Sequence, residues 1–97
     1  MMVEKRMKVP AGKLLVLKAE VEGNRIVQAR LEGDFFLHPE EKLEVLEAQI
    51  PALSQLGEQE MAAGLAAVAR KEGIQLVGLT PEAIAALAMQ ALGGDSA

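Results

Sequence analysis

The chain has no cysteine, tryptophan or tyrosine, a single histidine and two phenylalanines. Without thiols it can form no disulfide, thiolate metal site, cysteine nucleophile or persulfide carrier. His38 has no second histidine or cysteine with which to complete a metal cage, so no metal site and no catalytic residue is assigned. The net charge is −4 and few aromatic rings are available for base stacking, which argues against nucleic acid as a partner. No stretch approaches the roughly 18 apolar residues of a membrane span. Met1-Met2-Val3-Glu4-Lys5-Arg6 is not followed by the apolar core of a signal peptide. The expectation is a cytoplasmic protein with no membrane partner.

What is present is aliphatic: 51% of the 97 residues are hydrophobic and 25% charged, as in an ordinary globular chain. This length suits one domain, assigned to residues 3–93 with a frayed tail at 94–97. It is too short for a second lobe enclosing a cleft, so a stand-alone enzyme is disfavoured. Charge is uneven. Lys5, Arg6, Lys8, Lys13 and Lys18 face only Glu4 in the first eighteen residues, and the remainder is acidic. A basic edge on an acidic body is either a solvated strand face or a surface for an anionic ligand or partner.

Alternation predicts strands at residues 5–9, 13–22 and 25–32, the last two forming a hairpin with Gly23-Asn24 at its turn. Leu15, Leu17, Ala19 and Val21 should face the core opposite Val27, Ala29 and Leu31, and Pro10-Ala11-Gly12 should form a turn. Helices are predicted over 39–50, 58–72 and from Pro81 to Gly93-Gly94. Pro39 occupies the first helical position of the first, and Pro51 and Gly57 bracket a linker. Thr80 caps the third helix, and Leu79 packs on Ile84. Residues 74–77 read as a short strand or merely extended chain. Strands followed by helices make the fold class α+β: a small antiparallel sheet of a hairpin plus an N-terminal strand, covered by about three helices.

Chemistry is concentrated in Gly33-Asp34-Phe35-Phe36-Leu37-His38-Pro39-Glu40-Glu41. Adjacent phenylalanines point oppositely in extended chain, so one ring should enter the core while the other meets a groove or partner. Asp34 after glycine is expected to bond local amides, and His38 to belong to the helix start. Glu40, Glu41, Glu44 and Glu47 recur at helical spacing and read as a solvated face, not a tuned acid pair. Lys8 and Lys13 flank a glycine-containing turn, which suits an anion, although P-loop spacing is absent.

Three blocks, Lys8-Val9-Pro10-Ala11-Gly12-Lys13-Leu14, Gly33-Asp34-Phe35-Phe36 with Pro39-Glu40-Glu41 and Leu46-Glu47, and Gly78-Leu79-Thr80-Pro81-Glu82, together resemble the C-terminal accessory domain of lipoate-protein ligases. In some organisms that domain is a separate small subunit, and this chain looks like that form. The resemblance implies a non-catalytic partner of a catalytic ligase subunit, required for making lipoyl-adenylate and acting only indirectly on lipoyl-acceptor domains. It implies lipoate and ATP with Mg bound in the complex, not by this chain alone. Contact with the partner or the adenylate then falls to Lys8, Lys13, Gly33, Asp34, Phe35 and Phe36. The alternative reading of the residues is a homodimeric binding or scaffold module with no part in ligation.

Overall fold

The computed structural model describes residues 1–9 and 13–93. The expected turn at residues 10–12, Gly94 of the expected stop to the third helix and the tail at 94–97 lie outside the described residues.

The fold is α+β. Strands β1 (Met2–Val9), β2 (Lys13–Glu22) and β3 (Arg25–Gly33) form an antiparallel sheet in the order β1-β2-β3. A second antiparallel sheet pairs β4 (Phe36–His38) with β5 (Gln75–Val77). A 3-10 turn at Glu40–Lys42 leads into α1 (Leu43–Leu53), followed by α2 (Glu58–Glu72) and α3 (Pro81–Ala91).

Burial follows the alternation of β2, with Leu15, Leu17, Ala19 and Val21 all buried on the inner face. Val16 on the outer face, between its register neighbours Arg6 and Glu32, is also buried. One expectation for β3 fails. Ile26 is buried and Val27 is 38% exposed, because the pairing slips between Glu20 and Val21: Val21 opposes Ile26 and Glu20 opposes Gln28, leaving Val27 as the extra residue of a β-bulge. That residue reverses the phase of the alternation, and Ala29 and Leu31 return to the core beyond it. β1 starts earlier than predicted, at Met2; a reciprocal pair of 2.8 Å bonds between Met1 and Val21 holds its beginning against β2.

The helices close the inner face. α3 lies over β1 and β2, α1 runs along β3, and α2 packs on both helices. Leu46, Ile50, Met61, Leu65, Ile84 and Leu87 are fully buried among the inner residues of the sheet. A Cβ added at Gly64 of α2 would stand 2.7 Å from Leu53 Cδ2, so the crossing of α1 and α2 is close at this small residue.

Both ends of α1 differ from the sequence reading. Pro39 precedes the 3-10 turn with ψ 142, outside the helix. His38 is an exposed strand residue opposite Gln75, not part of the helix start. Pro51 lies inside α1, which continues to Leu53. Its ring supplies helical φ but no N–H, so only the bond to the Glu47 carbonyl is lost, and Ser54 restores order at the end by donating its N–H to Ile50 and its hydroxyl to the Pro51 carbonyl, both at 2.9 Å. The remaining punctuation is as read. α2 ends at Gly73, with the Ile74 amide returning to the Ala69 carbonyl at 2.8 Å. Thr80 Oγ1 accepts the Ala83 N–H at 3.0 Å, and Leu79 and Ile84 are both buried. Thr80→Ala is expected to cost about 1 kcal/mol, read as a lower urea midpoint at unchanged slope, with Thr80→Ser recovering most of it.

Glu47 is not a solvated carboxylate. It is half-buried, and its Oε2 accepts the Leu31 N–H of edge strand β3 at 2.8 Å. α1 thereby covers one edge of the sheet and satisfies a donor that β2 cannot reach. Glu47→Ala should cost about 1.5 kcal/mol, by the usual worth of a bond to a charged group, and speed hydrogen exchange at Leu31. Glu47→Gln, which keeps an acceptor, should lose less.

No helix among the described residues is long and apolar enough to cross a membrane.

Candidate functional site

The three sequence blocks are separated along the chain and meet at one end of the fold. Lys8 opposes Leu14 and Val9 opposes Lys13 in the β1–β2 register. Gly33 ends β3 opposite Leu15, and the Asp34 N–H donates to the Leu14 carbonyl at 2.9 Å. Gly33 has φ +136, and a Cβ there would lie 2.2 Å from the Leu14 oxygen. Only a residue without a side chain lets the chain leave the sheet so close to β2. Gly78, with φ +86, sits under the same corner. A Cβ added to it would stand 3.1 Å from the Asp34 oxygen, 3.3 Å from Phe35 Cα and 3.4 Å from Lys13 Cγ. Gly78 is where the first, second and third blocks touch.

The phenylalanines divide as extended chain requires. Phe35 is half-buried and packs against the core, and Phe36 is 73% exposed. Phe36 stands directly opposite Val77, itself 52% exposed, so the small sheet presents a cross-strand apolar pair to solvent. His38 and Gln75, two residues along each strand, are also exposed. Sequence reasoning missed β4 and Val77. Residues 74–77, read as a short strand or extended chain, do contain β5, but the three residues of β4 carry too short a pattern to register, and Phe36 and Val77 are joined only by long-range pairing. The one signal for Gly78 is its place at the head of the third block.

The charges resolve the basic edge. Lys18 is paired with Glu32 at 3.2 Å, and Arg6 donates to Glu4. The Arg6 hydrogen bond and charge, with Lys18 nearby, hold the Glu4 carboxyl below its ordinary range despite some desolvation. Lys8 and Lys13, at the corner, have no ion pair among the described residues and are exposed. The Asp34 carboxylate is exposed too. The bond to local amides expected of its side chain is not seen: no hydrogen bond to the carboxylate appears among the described residues, and its backbone N–H donates instead across the sheet to the Leu14 carbonyl. A groove of about 610 Å³ lies between β3 and α1, lined by Arg30, Glu32, Leu43, Glu44 and Glu47 among others. None of the predicted site residues lines it. No cluster of three or more His, Asp or Glu able to hold a metal occurs among the described residues.

This arrangement defines a small α+β module with an exposed apolar pair beside free lysines, a surface suited to docking more than to bond chemistry. No family model and no curated protein matches the chain. Among solved structures, it is similar to a chain of an archaeal lipoylation system, a bipartite lipoate protein ligase and its E2 lipoyl domain from Thermoplasma acidophilum. The two chains are 26% identical with a TM-score of 0.65, and the match covers 95% of this chain and 94% of that one.

Proposed function

We propose that this chain is the non-catalytic small subunit of a two-part lipoate ligase, needed for the adenylation step through binding to the catalytic subunit. The observation that carries the reading is the likeness, nearly end to end in both chains, to a component of the Thermoplasma system. It is supported by the convergence of the three resembling blocks on one corner. There Phe36 and Val77 offer an apolar anchor, and Lys8 and Lys13 offer charge that a loop or an anionic reactant can meet.

The mechanism is a shift of population. The reacting acid and nucleotide lie on the partner, and this chain accelerates adenylation by binding the competent form of that partner more tightly than the incompetent one. Moving a 1:99 mixture to even takes about 2.7 kcal/mol of differential affinity, well within a standard interface. Docking also excludes water from the partner's site, which protects an acyl-adenylate from hydrolysis.

The test is to mix the chain with its catalytic partner and follow lipoate-dependent formation of the AMP adduct. Stimulation is expected, and equal rates with and without the chain would remove the reading. Lys13→Ala should then lower the stimulated rate about tenfold, as expected for a charge aimed at a reacting anion, with binding of the two subunits little changed. Loss of binding alone would make Lys13 a docking residue instead.

A further inference from the structure

The two edges of the main sheet are treated differently. α1 and Glu47 cover β3, whereas β1 is the other outermost strand and no strand pairs beyond it among the described residues. Two hydrogen bonds settle which groups that edge presents. Met1 and Val21 exchange both backbone bonds at 2.8 Å, and the pairing runs without slip from Met2 opposite Glu20 to Val9 opposite Lys13. Val3, Lys5, Met7 and Val9 therefore bond to β2. Met2, Glu4, Arg6 and Lys8 turn their N–H and carbonyl groups outward. The Asp34 bond to Leu14 agrees, since it puts the even-numbered residues of β2 toward β3 and the odd-numbered ones toward β1.

We propose that β1 is a self-pairing edge, at which a second copy of this chain adds its own β1 antiparallel about a two-fold axis through Lys5. In this register Glu4 opposes Arg6 of the other copy, Arg6 opposes Glu4, and Met2 opposes Lys8, so every outward backbone group finds a partner. Glu4 and Arg6 already lie together on the outer face. Pairing joins the four charges into a ring of alternating sign, the arrangement in which cross-strand ions stabilise. A shift by two residues in either sense sets Glu4 against itself or Arg6 against itself and shortens the overlap. On the inner face Val3 meets Met7, both half-buried in one chain and packed on its core. Only Lys5 opposes its like. Its flexible stem lets the ammonium swing away from the axis, and its repulsion keeps the association weak and reversible.

The inference does not rest on the ligase reading, and its test uses the isolated chain. In sedimentation equilibrium the mass should rise from 10.3 kDa toward twice that value as concentration increases from about 1 to 200 μM, a range that spans ordinary weak association. Glu4→Arg and Arg6→Glu, each alone, should raise the dissociation constant about tenfold or more, because like charges then face each other. The double exchange should restore it. An equal mixture of the two single variants should form a mixed dimer, since one copy then brings two positive charges to the axis and the other two negative ones. Lys5→Thr should tighten the dimer, as expected when the like charges that meet at the axis are removed. Glu4 and Arg6 are exposed and Lys5 is half-buried, and circular dichroism checks that each variant is folded. A mass fixed at 10.3 kDa, or a dimer indifferent to these exchanges, overturns the proposal. So does a monomer whose binding to a ligase subunit is what the reversals weaken, which would assign the edge to that partner.

Discussion

Gly33→Ala is expected to destabilise the protein by about 3 kcal/mol or more. Two costs add. The φ of +136 belongs to a region that residues with a side chain rarely adopt, and the new Cβ would stand 2.2 Å from the Leu14 carbonyl oxygen, which is backbone and cannot swing aside. Relief requires moving β3 away from β2, which breaks the Asp34 bond to Leu14 and displaces the Phe35-Phe36 segment behind it. Gly23→Ala is the control. It too has positive φ, but a Cβ there meets nothing within 4 Å, so the cost should stay near 1 kcal/mol, the ordinary penalty of the left-handed region. Urea unfolding of both variants reads the difference, and equal losses would show that the close approach at Gly33 has no energetic weight.

Phe36→Ala should separate folding from docking. The ring is 73% exposed, so its removal should cost under about 1 kcal/mol of stability, mostly the lost cross-strand contact with Val77. As the anchor of the proposed interface it should matter far more. Affinity for the catalytic subunit is expected to fall about 30-fold, the equivalent of about 2 kcal/mol, and stimulation of adenylation should fall with it at fixed concentration. Val77→Ala should act in the same direction with smaller size. Leu56→Ala, at a side chain 57% exposed in the connection between α1 and α2, is the matched control and should change neither. If Leu56 weakened binding while Phe36 did not, the docking surface would lie at the other helices.

The strong local signals were legible because their physics is local. The Thr80-Pro81-Glu82 cap, the Gly73 stop and the hairpin turn each involve groups within a few residues, and the structure shows all three. The division of Phe35 and Phe36 was legible for the same reason, since alternation in extended chain needs no distant partner. The misses share the opposite cause. Val27 faces out because of a slip in pairing with β2, a property of two strands and not of one. Glu47 leaves the solvated face because β3, sixteen residues away in the chain, has an amide to satisfy. β4 exists only because β5 lies beside it, and Pro51 survives within α1 because only one amide bond is forfeited there.

The sequence by itself determined the α+β class, the aliphatic core, the exclusion of thiol chemistry and the three blocks that carry the resemblance, because composition, periodicity and turn chemistry are readable residue by residue. Only the tertiary structure decided that those blocks share one corner, with Gly78 against Lys13, Asp34 and Phe35, and that Phe36 finds Val77. It also decided that α1 and Glu47 cover one sheet edge while no strand pairs beyond the other among the described residues. Such contacts arise from pairing between segments far apart in the chain, whose register is set by the packing of the whole core and leaves no mark on either segment alone.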